Sequence, residues 1–190
     1  MNNNYLVPVL STLCGILCLC VSLAPAYAAK QKSQGIRFED KDLLIRTVIR
    51  SPEQLDAFYS GRGFPRKAID EIKKTCFVTM LIKNKQYEAL WLILDDWEFY
   101  DMQGKRINRI SRQQWTRVWD SIALKPAFQS TFGWTQLPES RDLRKQEHAG
   151  GNVTIPWHNK PFKLIARFKT RLDKSGETRK VVLENLQCKK

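Results

Sequence analysis

The first 28 residues contain no Lys, Arg, Asp, Glu or His, and they end in Ala26-Tyr27-Ala28. A long apolar stretch that ends in an Ala-x-Ala site is typical of a bacterial secretory signal peptide. We therefore expect cleavage after Ala28, localisation in the periplasm and a single mature domain of residues 29–190. Retention of the leader as a membrane anchor is the alternative, because the apolar stretch is long enough to span a bilayer.

The mature protein is predicted to begin at Ala29, because cleavage follows the small residues of the A-x-A site. Intact-mass measurement of the envelope form checks this directly. The expected mass is that of residues 29–190, and a mass that still includes Met1 would show that the leader is retained.

Loss of the leader would leave only two of the five cysteines, Cys76 and Cys188. Disulfides form and persist in oxidising compartments such as the periplasm. Both residues lie in β-branched, strand-like sequence, so we expect them to form a disulfide. Two independent buried thiols are the alternative.

Hydrophobic alternation and β-branched residues predict seven short strands. They cover residues 43–49, 76–82, 87–94, 97–100, 152–156, 162–172 and 178–188. The second and third are predicted to form a hairpin around Asn84, and the last two form another around 173–176. In this pattern Met80 lies in the core.

Two capping boxes predict helices: Ser51 lies three residues before Gln54, and Ser111 lies three residues before Gln114. A further helix is predicted to begin at Pro65. Residues 125–138 are predicted to be irregular, and 139–151 to form a polar loop. The predicted fold is mainly β within the α+β class: an antiparallel sandwich with helices inserted near 51–74 and 111–123.

One segment resembles a known family. It comprises Leu137-Pro138-Glu139-Ser140-Arg141-Asp142-Leu143, then Glu147 and Gly150-Gly151-Asn152-Val153. This stretch is similar to a loop-into-strand segment in immunoglobulin-like domains of poorly characterised exported bacterial proteins. The resemblance implies an immunoglobulin-like sandwich and implies no activity, since a fold alone does not define a function.

Catalytic motifs are not evident in the sequence. The two histidines, His148 and His158, lie in loop-like sequence, and nucleophilic catalysis usually needs a histidine base beside the nucleophile. We therefore predict a protein that is not an enzyme and has no cofactor or metal. Two alternatives stay open: a hydrolase of an envelope polymer that uses Glu139, Asp142 and Glu147, and a periplasmic metal carrier that uses the two histidines.

Charge is the strongest global signal, because the chain carries a net charge of +13. Such a surface favours anionic partners, and export makes nucleic acid an improbable one. We expect an envelope protein or an anionic envelope component as partner, with peripheral membrane contact as a further possibility. The predicted function is non-catalytic binding or scaffolding in the periplasm.

The predicted basic surface is one face of the strand that starts at 162, since residues two apart share a face. Its members are Lys163, Arg167, Lys169 and Arg171. Their neighbours Leu164, Ala166, Phe168 and Leu172 are predicted to point inward. The alternative is an edge strand whose charges merely prevent aggregation.

Aromatic residues complete the candidate binding set. Trp134, Trp157 and His158 lie in loop-like sequence and could form a platform for a ligand or partner. Trp91, Trp115 and Trp119 lie on apolar faces and are predicted to be core residues.

Overall fold

The computed structural model describes residues 35–190, so the predicted leader, its cleavage site and its three cysteines lie outside the described residues. Ten strands run β1 Ile36–Glu39, β2 Leu43–Ile49, β3 Thr75–Asn84, β4 Ala89–Ile93, β5 Glu98–Asp101, β6 Arg106–Ile107, β7 Ser140–Arg144, β8 His148–Pro156, β9 Phe162–Thr170 and β10 Arg179–Leu186. Four helices run α1 Pro52–Ser60, α2 Arg66–Lys73, α3 Arg112–Ser121 and α4 Pro126–Trp134. Within residues 35–190, none of the helices has the length and apolar character needed to cross a bilayer.

The strands form two antiparallel sheets. The inner sheet has the order β1-β2-β3-β8. In the outer sheet, β9 pairs with β10 along one edge. Along its other edge β9 pairs with both β4 and β5. β7 pairs with the far edge of β4, and β6 pairs with the far edge of β5. The predicted antiparallel sandwich with inserted helices is therefore confirmed.

The inner sheet packs against the outer sheet on one face and, around Phe77, against the helices on the other. Val78, Met80 and Ile82 of β3 point into the core between the two sheets. Phe77 points the other way, into a second core formed with the helices. The order of layers is therefore helices, inner sheet, outer sheet, and the expected core position of Met80 is confirmed.

Both predicted capping boxes are present, at Ser51 and Ser111. Trp115 and Trp119 of α3 stack at 4.8 Å between ring centroids, and Trp115 Nε1–H donates to Thr154 Oγ1 of β8 at 2.8 Å. This bond and the aromatic packing fix the helices to the inner sheet. The predicted core positions of Trp115 and Trp119 are confirmed.

The prediction that 125–138 is irregular is wrong, since α4 spans Pro126–Trp134. Pro126 stands at the first helical position, which suits its fixed φ. Phe132 is the one fully buried side chain of this helix, and it packs against Trp115 and Trp119. Tertiary packing stabilises this helix more than its weak amphipathic pattern does.

The predicted β3–β4 hairpin is also wrong, because β3 lies in the inner sheet and β4 in the outer sheet. Asn84 is completely buried at this crossing. Its Nδ2 donates to the carbonyls of Tyr87 and Leu143, both at 2.8 Å, and its Oδ1 accepts from the Tyr87 amide at 2.9 Å. These bonds replace the ladder that a hairpin would have made.

The predicted polar loop 139–151 is mostly strand. Residues 140–144 form β7, and β8 begins at His148 and pairs with β3 along its full length. Gly150 and Gly151 favour a loop prediction, because glycine is depleted in strands. Gly151 is needed because a Cβ there would lie 2.6 Å from the Leu137 amide nitrogen, where the 135–137 segment crosses β8.

The predicted disulfide between Cys76 and Cys188 is present, with the two Cα atoms 5.5 Å apart. It joins the start of β3 to the chain that follows β10, and so it links the two sheets. The bond closes a loop across a sequence separation of 112 residues, which strongly restricts the unfolded chain.

We expect Cys188→Ser to lower the free energy of unfolding by roughly 2–5 kcal/mol, the range for native disulfides. Chemical denaturation of both proteins measures this difference. Non-reducing peptide mapping of the exported protein should give one linked pair, and two freely alkylated thiols would contradict the assignment.

Candidate functional site

The outer sheet turns one face away from the core, and this face holds most of the predicted basic residues. Along β9, even-numbered residues are buried, while Lys163, Ile165, Arg167 and Lys169 are half-exposed on the other side. The register places further residues beside them on the same face. These are Trp91, Ile93, Glu98, Tyr100, Arg106, Asp142, Lys180 and Val182. We call this twelve-residue surface the open face.

Positive charge predominates on the open face. Arg167 is neutralised locally, because its Nη1 lies 2.6 Å from Glu98 Oε2. This hydrogen bond holds the pKa of Glu98 below its ordinary value. Within the part of the chain that the structure describes, Lys163 and Lys180 have no ion-pair partner, and Lys169 Nζ donates only to Thr178 Oγ1 at 3.2 Å.

The predicted strip of four basic residues is corrected at its end. β9 stops at Thr170, and Arg171 adopts a left-handed backbone conformation, with φ 66°, in the following turn. Leu172 is 41% exposed and does not point inward as predicted. The edge-strand alternative is also wrong, since β9 is paired along both of its edges.

The predicted core position of Trp91 is wrong, because its indole lies half-exposed on the open face. Its Nε1–H donates to the Arg171 carbonyl at 3.1 Å. Lys174 Nζ lies 4.2 Å from the ring centroid, which is within cation–π range. The open face therefore combines apolar and basic groups, a composition that sequence periodicity alone did not show.

Trp134 lies in the helical layer and is 83% exposed at the end of α4. It stands between two surface cavities. One, of about 300 Å³, is lined by Trp115, Trp119 and the Arg109–Glu139 pair. The other, of about 370 Å³, lies between α1 and β8.

Arg109 has a structural role beside the first cavity. Its guanidinium is largely buried and lies 2.7 Å from both Asp95 and Glu139 carboxylate oxygens. Glu139 also accepts a hydrogen bond from the Arg112 amide at 2.9 Å. Two of the charged residues that line this cavity, Arg109 and Glu139, are therefore paired with each other.

Trp157 and His158 lie beyond the Pro156 end of β8, apart from Trp134. Trp157 Nε1–H donates to the Lys189 carbonyl at 3.4 Å, which holds the C-terminal segment. His158 Nε2 is buried and has no hydrogen-bond partner among residues 35–190. The structure thus separates the predicted binding residues into three places.

The two histidines are also separated. His148 begins β8 and His158 follows its end, and the nine residues of β8 span about 30 Å at about 3.3 Å each. They cannot share a metal ion within one molecule. Residues 35–190 contain no cluster of three or more potential metal-binding His, Cys, Asp or Glu side chains.

Two of the three carboxylates of the hydrolase alternative, Glu139 and Glu147, lie too far apart to act together. Glu139 and Glu147 flank opposite ends of β7, whose five residues alone span about 16 Å. Glycosidases need two carboxyl groups about 5–9.5 Å apart. Asp142 pairs with Arg144 at 3.1 Å, and Glu147 accepts from the Arg144 amide at 2.8 Å.

We expect the amide variants of these carboxylates to separate stability from function. Glu139→Gln should lower the free energy of unfolding by about 1–2 kcal/mol, because the buried Arg109 loses a charged partner. Asp142→Asn and Glu147→Gln should change little, and all three should retain envelope binding. Chemical denaturation and binding assays measure both properties. A stability-neutral loss of biological function in Asp142→Asn or Glu147→Gln would favour the hydrolase.

Comparisons with known proteins leave the chain without a family. No family model matches it, and no curated protein matches it. Among solved structures it is similar to the yjhA protein of Bacillus subtilis, with 8% identity and a TM-score of 0.37 over 69% of this chain and 76% of that chain. It is also similar to a DUF4426 family protein of Pseudomonas aeruginosa, with 10% identity and a TM-score of 0.38 over 82% of this chain and 97% of that chain.

A third similar structure is that of ycdA of Bacillus subtilis, a candidate lipoprotein. The identity is 10% and the TM-score 0.42, over 80% of this chain. The chain spans only 39% of the length of that protein. All three likenesses have TM-scores too low to assign a function.

Proposed function

We propose that the protein is an exported, non-catalytic binding or scaffolding protein of the bacterial periplasm, and that it docks its partner on the open face. The partner is an acidic surface of an envelope protein or another anionic envelope component. The observation that carries this proposal is the unpaired positive charge of Lys163 and Lys180 on a sheet face that no described element covers.

The chemistry of the open face supports docking of a surface more than binding of a small molecule. Its lysines are spread over two strands, and apolar side chains such as Ile165 and Val182 lie between them. Charged groups steer an anionic partner to the face, while apolar groups add contact area once water is expelled. Val182 is 41% exposed, so part of this apolar area is available.

The fold supports a scaffolding role because it holds the open face rigidly. The even-numbered residues of β9 are fixed in the sheet–sheet core, and the Cys76–Cys188 disulfide ties the two sheets together. The proposal also includes kinship with exported immunoglobulin-like proteins, cleavage after Ala28 and localisation in the periplasm. Each of these fits a disulfide-bonded, β-rich binding domain.

We expect the triple variant Lys163→Glu, Lys169→Glu, Lys180→Glu to bind envelope vesicles at least about tenfold more weakly at low salt. Reversal of three charges replaces attraction by repulsion, and each charge contributes about 1 kcal/mol near an anionic surface. Sedimentation with envelope vesicles over a range of ionic strength measures the affinity and its salt dependence, which should become flatter.

The matched control reverses three exposed basic residues away from the open face: Arg46, Arg117 and Lys125. It changes the net charge by the same amount, so it separates a defined surface from diffuse attraction. The control should bind nearly as well as the unmodified protein. Equal losses in both triple variants would contradict a docking role for the open face.

A further inference from the structure

The cavity between α1 and β8 is chemically distinct from the rest of the surface. We call it the Arg50 cleft, and its main lining residues are Arg50, Leu55, Phe58, Trp134, Gly150 and Asn152. It measures about 370 Å³, which falls within the size range of ligand pockets. Among residues 35–190, Arg50 is the only charged residue that lines it.

Hydrogen bonds to the inner sheet hold Arg50 in place. Its Nε–H donates to Thr79 Oγ1 at 3.0 Å, and Thr79 donates in turn to Asn152 Oδ1 at 2.7 Å. Asn152 Nδ2 donates to the Thr135 carbonyl at 2.7 Å, which closes the chain of bonds at the end of α4. The guanidinium is therefore oriented before any ligand arrives.

The other nitrogens of this guanidinium are available. Among the described residues, no hydrogen bond or ion pair reaches either Nη of Arg50. A guanidinium that is fixed at Nε and free at Nη presents donors in the geometry that a single carboxylate accepts. The arrangement therefore provides a site for one anionic group.

Apolar side chains stand beside this site. Leu55 is buried, while Phe58 is 39% and Trp134 83% exposed. Phe58 is held from one side by Arg62, whose Cζ lies 3.5 Å from the ring centroid. These walls can take up an apolar or aromatic group, and exposed aromatic rings gain most from such contact.

The edge of β8 adds a backbone site at Gly150. Asn152 uses both its amide and its carbonyl on the outer edge of β8, where they bond Thr135 and Leu137. Alternation along an antiparallel strand then directs the amide and carbonyl of Gly150 to the same edge. β8 is the edge strand of the inner sheet, so no strand pairs with these two groups, and no other backbone hydrogen bond reaches them among residues 35–190.

We propose that the Arg50 cleft binds the free carboxyl end of a polypeptide whose last residue is apolar. The terminal carboxylate binds Arg50, the last side chain packs between Phe58 and Trp134, and the preceding backbone bonds Gly150. Capture of a chain end in this way combines charge recognition with addition to a strand edge. The single arginine excludes a polyanion as the preferred ligand, and the free backbone groups favour a peptide over a fatty acid.

This inference does not rest on the function proposed for the open face, since the Arg50 cleft lies on the helical side of the inner sheet. The two surfaces can therefore be tested separately. Only a long partner could occupy both surfaces at once. Short peptides therefore test the Arg50 cleft alone.

The test is isothermal titration of the protein with acetyl-alanyl-alanyl-phenylalanine bearing a free carboxylate, and with the same peptide as its carboxamide. The free acid should bind at least roughly tenfold more tightly, the effect of one charge-assisted bidentate contact. Arg50→Gln should remove this preference. Arg46→Gln, an exposed arginine of β2 that does not line the cleft, should preserve it.

A second variant keeps the proposal testable if Arg50→Gln does not fold. Trp134→Ala changes a residue that is 83% exposed, so its fold should survive, and it should weaken binding of the acid and the amide alike. Equal affinity for acid and amide, or no binding of the acid at 10 mM (roughly the weak limit of specific binding), would overturn the proposal. Binding of decanoate without binding of the peptide would overturn it in favour of a lipid site.

Discussion

The fold depends on β3, a strand that contributes side chains to a core on each of its faces. Phe77 enters the helical core while Val78, Met80 and Ile82 enter the core between the sheets. A shift of one residue in its register would exchange these two sets of side chains. Pairing with β2 on one edge and β8 on the other therefore fixes both cores at the same time, and the Cys76–Cys188 disulfide anchors the start of the strand.

This arrangement explains why one face of the outer sheet is exposed to solvent. An antiparallel sheet can pack on one face and remain solvated on the other. The helices cover the inner sheet only, so the far side of β9 carries no described element. Its lysines stay half-exposed because the pleat of β9 holds Leu164, Ala166 and Phe168 in the core directly behind them.

Local signals in the sequence predicted the parts of the fold that local interactions determine. The capping boxes at Ser51 and Ser111, the alternation of β9 and the pairing of the two mature cysteines could all be found there. Tertiary contacts decide the rest. Asn84 looks like a turn residue, and only its buried bond to Leu143 shows that the chain changes sheets.

The candidate sites follow the same division. Period-two spacing found Lys163, Arg167 and Lys169, but it misplaced Arg171, where the strand has already ended. The Arg50 cleft had no signal in the sequence, because residues from α1, α4 and β8 meet there only in the folded chain. The sequence predicts Trp134 as a candidate, yet Arg50, which lines the same cleft, lies more than eighty positions away.

Docking on the open face is tested most directly by site-specific photo-cross-linking in living cells. A photoreactive amino acid at Ile165 lies in the middle of the open face, and one at Arg117 lies on α3 in the helical layer. The account predicts a discrete adduct with envelope material from position 165 and none from position 117. Adducts from position 117 alone would contradict it.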